Sequence, residues 1–154
     1  MQNTESKRIA ALLAKTYTGE AWHGPAVMEV LGEIGPAQWE TRVGDSHSVI
    51  ELVAHMITWR RFVIKQLQGD AAYKVTDAEN FPTISTPDAT EWGKQLALLD
   101  HSQMELVALL ENTADEKLEE IVPGRSYSFY GMLHGIIQHD LYHLGQVVLL
   151  GKYL

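Results

Sequence analysis

The stretch HSVIELVAHMITWRRFVIKQLQGD, residues 47–70, decides the fold class. Ser48 followed three residues later by Glu51 has the form of a capping box, in which each side chain satisfies a backbone donor at a helix start. The pattern stays helical to about Gln68, where Gly69 and Asp70 stop it. Leu52, Trp59 and Phe62 share a face, and His55 sits on that face in mid-helix, so it looks inward rather than into water. A polar ring turned into a core needs a partner there.

Three more helices extend outward from this one, and no segment reads as a strand. Before it, a first helix spans about Thr4 to Tyr17, with Ile9, Leu12 and Leu13 on one stripe. It resumes after GEAWHG, where Pro25 suits a first turn and Val27, Met28, Leu31 and Ile34 keep the apolar spacing. IGPAQWETRVGD then reads as a connector. After the second helix, residues 71–86 carry mixed polarity and Pro82, which predicts a long excursion over the surface. Thr86 with Pro87 resembles a cap and first-turn proline for a third helix to about Asn112, buried along Leu96, Leu99, Leu106 and Leu110. A fourth helix follows from about Tyr127 to Lys152. The expectation is an all-α chain: one four-helix bundle domain over residues 1–154, with a long crossover between helices two and three.

Composition narrows the chemistry. The chain has 154 residues, 45% of them apolar, which is enough for one real core. With no cysteine, it has no disulfide, no thiolate metal site and no cysteine nucleophile, so any metal must be held by nitrogen and oxygen. A net charge of −8 and no basic run longer than Arg60 and Arg61 predict no nucleic-acid partner. The N-terminal MQNTESKRIAALLAKTY lacks the features of a secretory signal, and no purely apolar run, Val147 to Leu150 included, approaches the length of a membrane span. No membrane partner and a cytoplasmic location are therefore expected.

The segment HGIIQHDLYHLGQ, residues 134–146, places three of the seven histidines within ten positions. His139 and His143, four apart, project from one side of the helix together with Gly135, Gln146 and Leu150, whereas His134 points roughly opposite. A metal ion needs at least one further ligand, and the inward His55 is the best candidate. His47 precedes a cap, His101 lies among polar residues, and His23 lies in a turn. Geometry alone leaves two readings open, satisfied interior histidines or a ligand set.

Other constellations fail. The Glu-x-x-His spacing of di-iron bundles is absent, since Glu51 precedes His55 by four. Asp140 stands where HExxH requires glutamate, although it remains a candidate outer-shell acceptor. Tyr130 and Tyr142 read as packing residues, and Trp59, Phe62 and Gln146 as core that could also line a pocket. Val147 to Leu150 is apolar on every side of its helix, so the first helix or a second copy should cover it.

In AWHGPAVMEVL (21–31), HSVIELVAHMITWR (47–60) and MLHGIIQHDLYHLGQVVLL (132–150) the chain resembles the DinB/YfiT-like superfamily, and in particular its DinB-like domains. The resemblance implies a four-helix bundle with a three-histidine site at one end, holding zinc, nickel or another divalent ion such as iron, and a homodimer. Carried over, the metal ligands are His55, His139 and His143, and the chain departs from the pattern at none of them. The family name refers to DNA-damage induction, but the acidic balance gives no support for DNA contact.

Some relatives are thiol-dependent transferases or isomerases. The resemblance therefore implies a metal-dependent enzyme, thiol S-transferase-like or hydrolytic, that activates a thiol or water and takes a small-molecule substrate such as a low-molecular-weight thiol. The alternative is a non-catalytic metal-binding stress-response protein. An open coordination position favours the first, and a closed one the second.

Overall fold

Ser48 accepts a hydrogen bond from the Glu51 amide, and the Glu51 carboxylate accepts one from the Ser48 amide at 2.9 Å, closing the capping box in a computed structural model that describes residues 4–152. Residues 1–3 and 153–154, the ends of the expected domain, lie outside the described residues. Burial disfavours the Glu51 charge, but the Ser48 amide and the Arg42 guanidinium, 3.3 Å away, outweigh it and hold the carboxyl below its ordinary range. The helix so opened is α3 (Val49–Leu67). It ends before Gly69, whose φ of 85° suits a residue without a Cβ.

The other long helices are α1 (Thr4–Thr18), α5 (Ala89–Glu111) and α7 (Phe129–Leu150). Short helices α2 (Val27–Glu33), α4 (Asp77–Asn80) and α6 (Asp115–Leu118) decorate them, with a 3₁₀ turn at Pro36–Gln38. α3 packs on α5 and α7, and α1 packs on the same two, so the long helices close a ring in the order α1, α5, α3, α7. The fold is all-α: among the described residues there is no strand, only an isolated bridge between Ile121 and Ser128.

The core has two parts. Leu31, Trp39, Ile50, Met56, Leu99 and Val147 belong to one, and Ile9, Leu13, Phe62, Leu106, Phe129 and Leu133 to the other. Leu12, expected on the α1 stripe, is 43% exposed. The buried edge of α1 runs through Ile9, Leu13 and Tyr17, at intervals of four, and Leu12 falls beside it.

Two boundaries move. Asp88, not Thr86, caps α5, its side chain accepting from the Glu91 amide at 2.8 Å. Thr86 has φ of 48°, which rules out the extended backbone of an N-cap, and its amide donates to Glu40 at 2.9 Å. α7 begins two residues later than Tyr127, because Val122 donates to the Tyr127 carbonyl and Phe129 to the Glu120 carbonyl, holding this entry segment extended. Ser128 then caps the helix by accepting from Gly131.

Residues 71–86 form more than a surface excursion. Thr76 and Glu79 make a second capping box that opens α4. The chain then docks along α3, with Thr58 donating to the Glu79 carbonyl at 2.8 Å and Trp59 Nε1 to Asn80 Oδ1 at 3.0 Å. Val147 and Leu150 share the core with Tyr17 of α1 and with Val27, Val30 and Leu31 of α2. Val148 and Leu149 remain 37% and 56% exposed. No described helix is long and apolar enough to cross a membrane.

Candidate metal centre

The α3–α7 contact brings three imidazoles together. His55 comes from the middle of α3, and His139 and His143 from successive turns of α7. One ring nitrogen from each lies within 4.8 Å of the others, and His55 Nε2 is 3.0 Å from His139 Nε2. His55 and His143 are buried, and His139 is half-buried.

Each ring's second nitrogen fixes its orientation. His55 Nδ1 donates to the Asn80 carbonyl, which leaves the Nε2 lone pair turned toward His139. His143 Nδ1 donates to Gln146 Oε1 at 2.9 Å, freeing its Nε2 in the same way. Backing a ligating ring with a backbone carbonyl or a side-chain oxygen is the usual arrangement in metal sites. His139 Nδ1 is buried without a partner; Asp140 Oδ1, also unpartnered, is 3.9 Å away. That separation exceeds a hydrogen bond, so the expected outer-shell role of Asp140 is not formed. Its Oδ2 instead accepts from Arg60 Nε at 2.8 Å and Nη2 at 2.7 Å.

Electrostatics favour the ligating form. Burial pushes His55 down to about 4; the bond to Asn80 opposes this, and the neighbouring His143 and His139 add to it. Burial also lowers His143, partly offset by its bond to Gln146. Both rings are neutral at pH 7, as a metal ligand must be. Three imidazole nitrogen donors from two packed helices fit a divalent transition ion.

The crossover roofs this cluster. Phe81 stacks on His55 with centroids 3.8 Å apart and planes at 2°, and His47 stacks on Phe81 at 3.6 Å and 3°. Asn80, Phe81 and His47 were not legible as site residues. Their signals were the Thr76–Glu79 box beside α3 and an aromatic residue in a polar connector. Arg60, 1% exposed, also bonds Gln103 at 2.8 Å and lies over the Tyr17 ring at 5.0 Å, so a buried ionic network supports the turn that carries His139. Tyr17 donates to Asp100 at 2.7 Å, and burial with that carboxylate pushes its phenol up.

The remaining sequence-marked residues divide. His134 lies outside the cluster beside Tyr130, with centroids 4.4 Å apart. His101 faces Glu105 at 3.8 Å, and His23 bonds the Pro25 carbonyl at 3.1 Å. Tyr130 and Tyr142, expected as packing residues, are 41% and 67% exposed. Trp59 and Phe62 line a cavity of about 380 Å³ that has His139 in its wall. Gln146 is absent from that cavity and holds His143 instead.

An all-α chain with a buried three-histidine cluster between two of its long helices is, as a class, a candidate divalent-metal protein. The family model for the DinB superfamily matches residues 21–147, and the chain belongs to that superfamily. No curated protein and no solved structure matches it.

Proposed function

We propose that His55, His139 and His143 ligate one divalent ion, zinc or nickel before iron, and that the protein is a metal-dependent enzyme of thiol-transferase or hydrolytic type acting on a small molecule. The carrying observation is the position of His139, which belongs at once to the histidine cluster and to the wall of an adjoining cavity. Among the described residues no fourth histidine or carboxylate joins the cluster, which favours an open coordination position. When bound, such an ion supplies Lewis acidity, polarising a carbonyl or favouring the deprotonated form of a thiol or water.

The protein's own part is to hold and shield. The Asn80 carbonyl and the Gln146 amide oxygen fix two tautomers, burial keeps protons off His55 and His143, and Phe81 covers the His55 face. Trp59 and Phe62 keep the His139 side apolar.

A second reading, a non-catalytic metal-binding stress-response protein, is favoured by the fact that two of the three rings, His55 and His143, are buried where α3 packs on α7. His55→Ala separates the two. Loss of turnover with an unchanged melting temperature supports the enzyme. A marked fall in melting temperature, with no thiol-transfer or hydrolytic activity in the wild type, supports the structural ion. Elemental analysis of untagged protein from its native host identifies the metal.

A homodimer and a cytoplasmic location complete the proposal. The exposed pair Val148 and Leu149 on α7 supports the first. Sedimentation as a 17.3 kDa species at all concentrations would reject it.

A further inference from the structure

The face of α7 that carries two of the proposed ligands reads Gly131, Gly135, His139, His143, one residue per four. Residues at that interval lie above one another on a helix, so two positions without side chains adjoin two imidazoles. Glycine is unfavourable inside a helix, and it is usually kept for a positive φ or a close approach. Neither applies at Gly135: its φ is not positive, and a Cβ there would meet no atom within 4 Å. What its bare backbone does leave is open space. Gly131 and Gly135 line the cavity of about 380 Å³ whose other walls include Trp59, Phe62, Met132 and Ile136.

No Asp, Glu, Lys or Arg side chain lines this cavity. Trp59 Nε1 is already committed to Asn80, which removes the indole as a donor. Away from its His139 end, an ionic group moved in would lose its hydration against walls with no Asp, Glu, Lys or Arg to repay it, whereas an aryl or alkyl group would exchange water for aromatic and aliphatic walls. The volume lies in the range of small-molecule sites.

We propose that the cavity between α3 and the glycine face of α7 receives the body of the substrate, an uncharged aryl or alkyl group, with the reacting end placed against the ion at His139. This rests on the metal-ligand reading above. Gly135 is then the specificity-determining position, because any side chain there occupies the space the substrate needs.

The test uses the full chain loaded with cobalt(II), whose visible spectrum reports metal binding and whose sulfur-to-cobalt charge-transfer band reports a bound thiolate. Two thiols of similar acidity are titrated, benzyl mercaptan and 2-mercaptoethanesulfonate. The wild type should bind benzyl mercaptan at least tenfold more tightly. Gly135→Leu should lower that affinity at least tenfold while leaving cobalt affinity and binding of the sulfonate thiol within twofold. Gly135→Ala, which favours the helix, should show a smaller loss of the same kind and decides the matter if the leucine variant does not fold. Equal affinity for the two thiols, or an unchanged benzyl affinity in the filled variants, overturns the inference and leaves the metal site standing. A preference for the sulfonate also overturns it, and would point to the Arg125 guanidinium, 5.1 Å over the Phe62 ring, as an anion partner. Failure of wild-type protein to bind cobalt removes the metal reading and this inference with it.

Discussion

His55 Nε2 lies 3.0 Å from His139 Nε2, although 84 residues separate the two in the chain. Two imidazole lone pairs that close repel unless a proton or a cation stands between them. The Asn80 carbonyl, by occupying His55 Nδ1, forces that choice onto the Nε2 side. The relationship ties the crossover, α3 and α7 into one site.

Phe81 supplies much of the cover over His55 by stacking at 3.8 Å. Phe81→Ala should let water reach the ring, so the His55 pKa should rise from about 4 toward its ordinary 6.5. NMR titration of the imidazole protons in metal-free protein reads this directly. An unchanged or lower value would show that the stack does not desolvate the ring.

The same shift makes the metal-free fold sensitive to acid. Unfolded His55 takes up a proton near 6.5, whereas the folded ring resists it until about 4. Between those values the unfolded state binds more protons, so this contribution to stability is complete above 6.5 and is lost as pH falls toward 4. Urea denaturation of chelator-treated protein should show that loss, and His55→Ala should show a shallower one. Identical slopes would remove His55 as its source.

Arg60 and Asp140 are 1% and 3% exposed, and breaking a buried pair strands a charge. Arg60→Met should destabilise the protein by about 3–5 kcal/mol. Arg60→Met with Asp140→Leu should recover most of that, since no uncompensated charge remains. Equal instability of the single and double variants by urea denaturation would show that the hydrogen bond to Gln103, rather than the charge pair, dominates.

With a net charge of −8, the protein should show no salt-dependent binding to duplex DNA at physiological ionic strength. A mobility shift at micromolar protein that weakens with added salt would contradict this.

What the sequence discloses follows from the range of each interaction. Helix starts governed by contacts three residues apart, such as Ser48–Glu51, are readable because both partners lie in one turn. The cap of α5 was not, because Thr86 is drawn into a left-handed backbone and a bond to Glu40 from another part of the chain. The convergence of His55, His139 and His143 was legible in their helical faces and in the family resemblance. Their supports were not: Asn80 and Phe81 reach His55 only because the crossover folds back along α3, a long-range event that no local periodicity encodes.

On the proposed function, three histidines on two helices form one metal site. Competitive zinc titration against a chromophoric chelator, run on wild type, His55→Ala and His134→Ala, tests it most directly. The wild type should bind one zinc per chain, His134→Ala should keep the same affinity within about twofold, and His55→Ala should lose at least about a hundredfold, exceeding the roughly 10–100-fold cost of removing an outer-shell partner. Wild-type affinity retained by His55→Ala would contradict it.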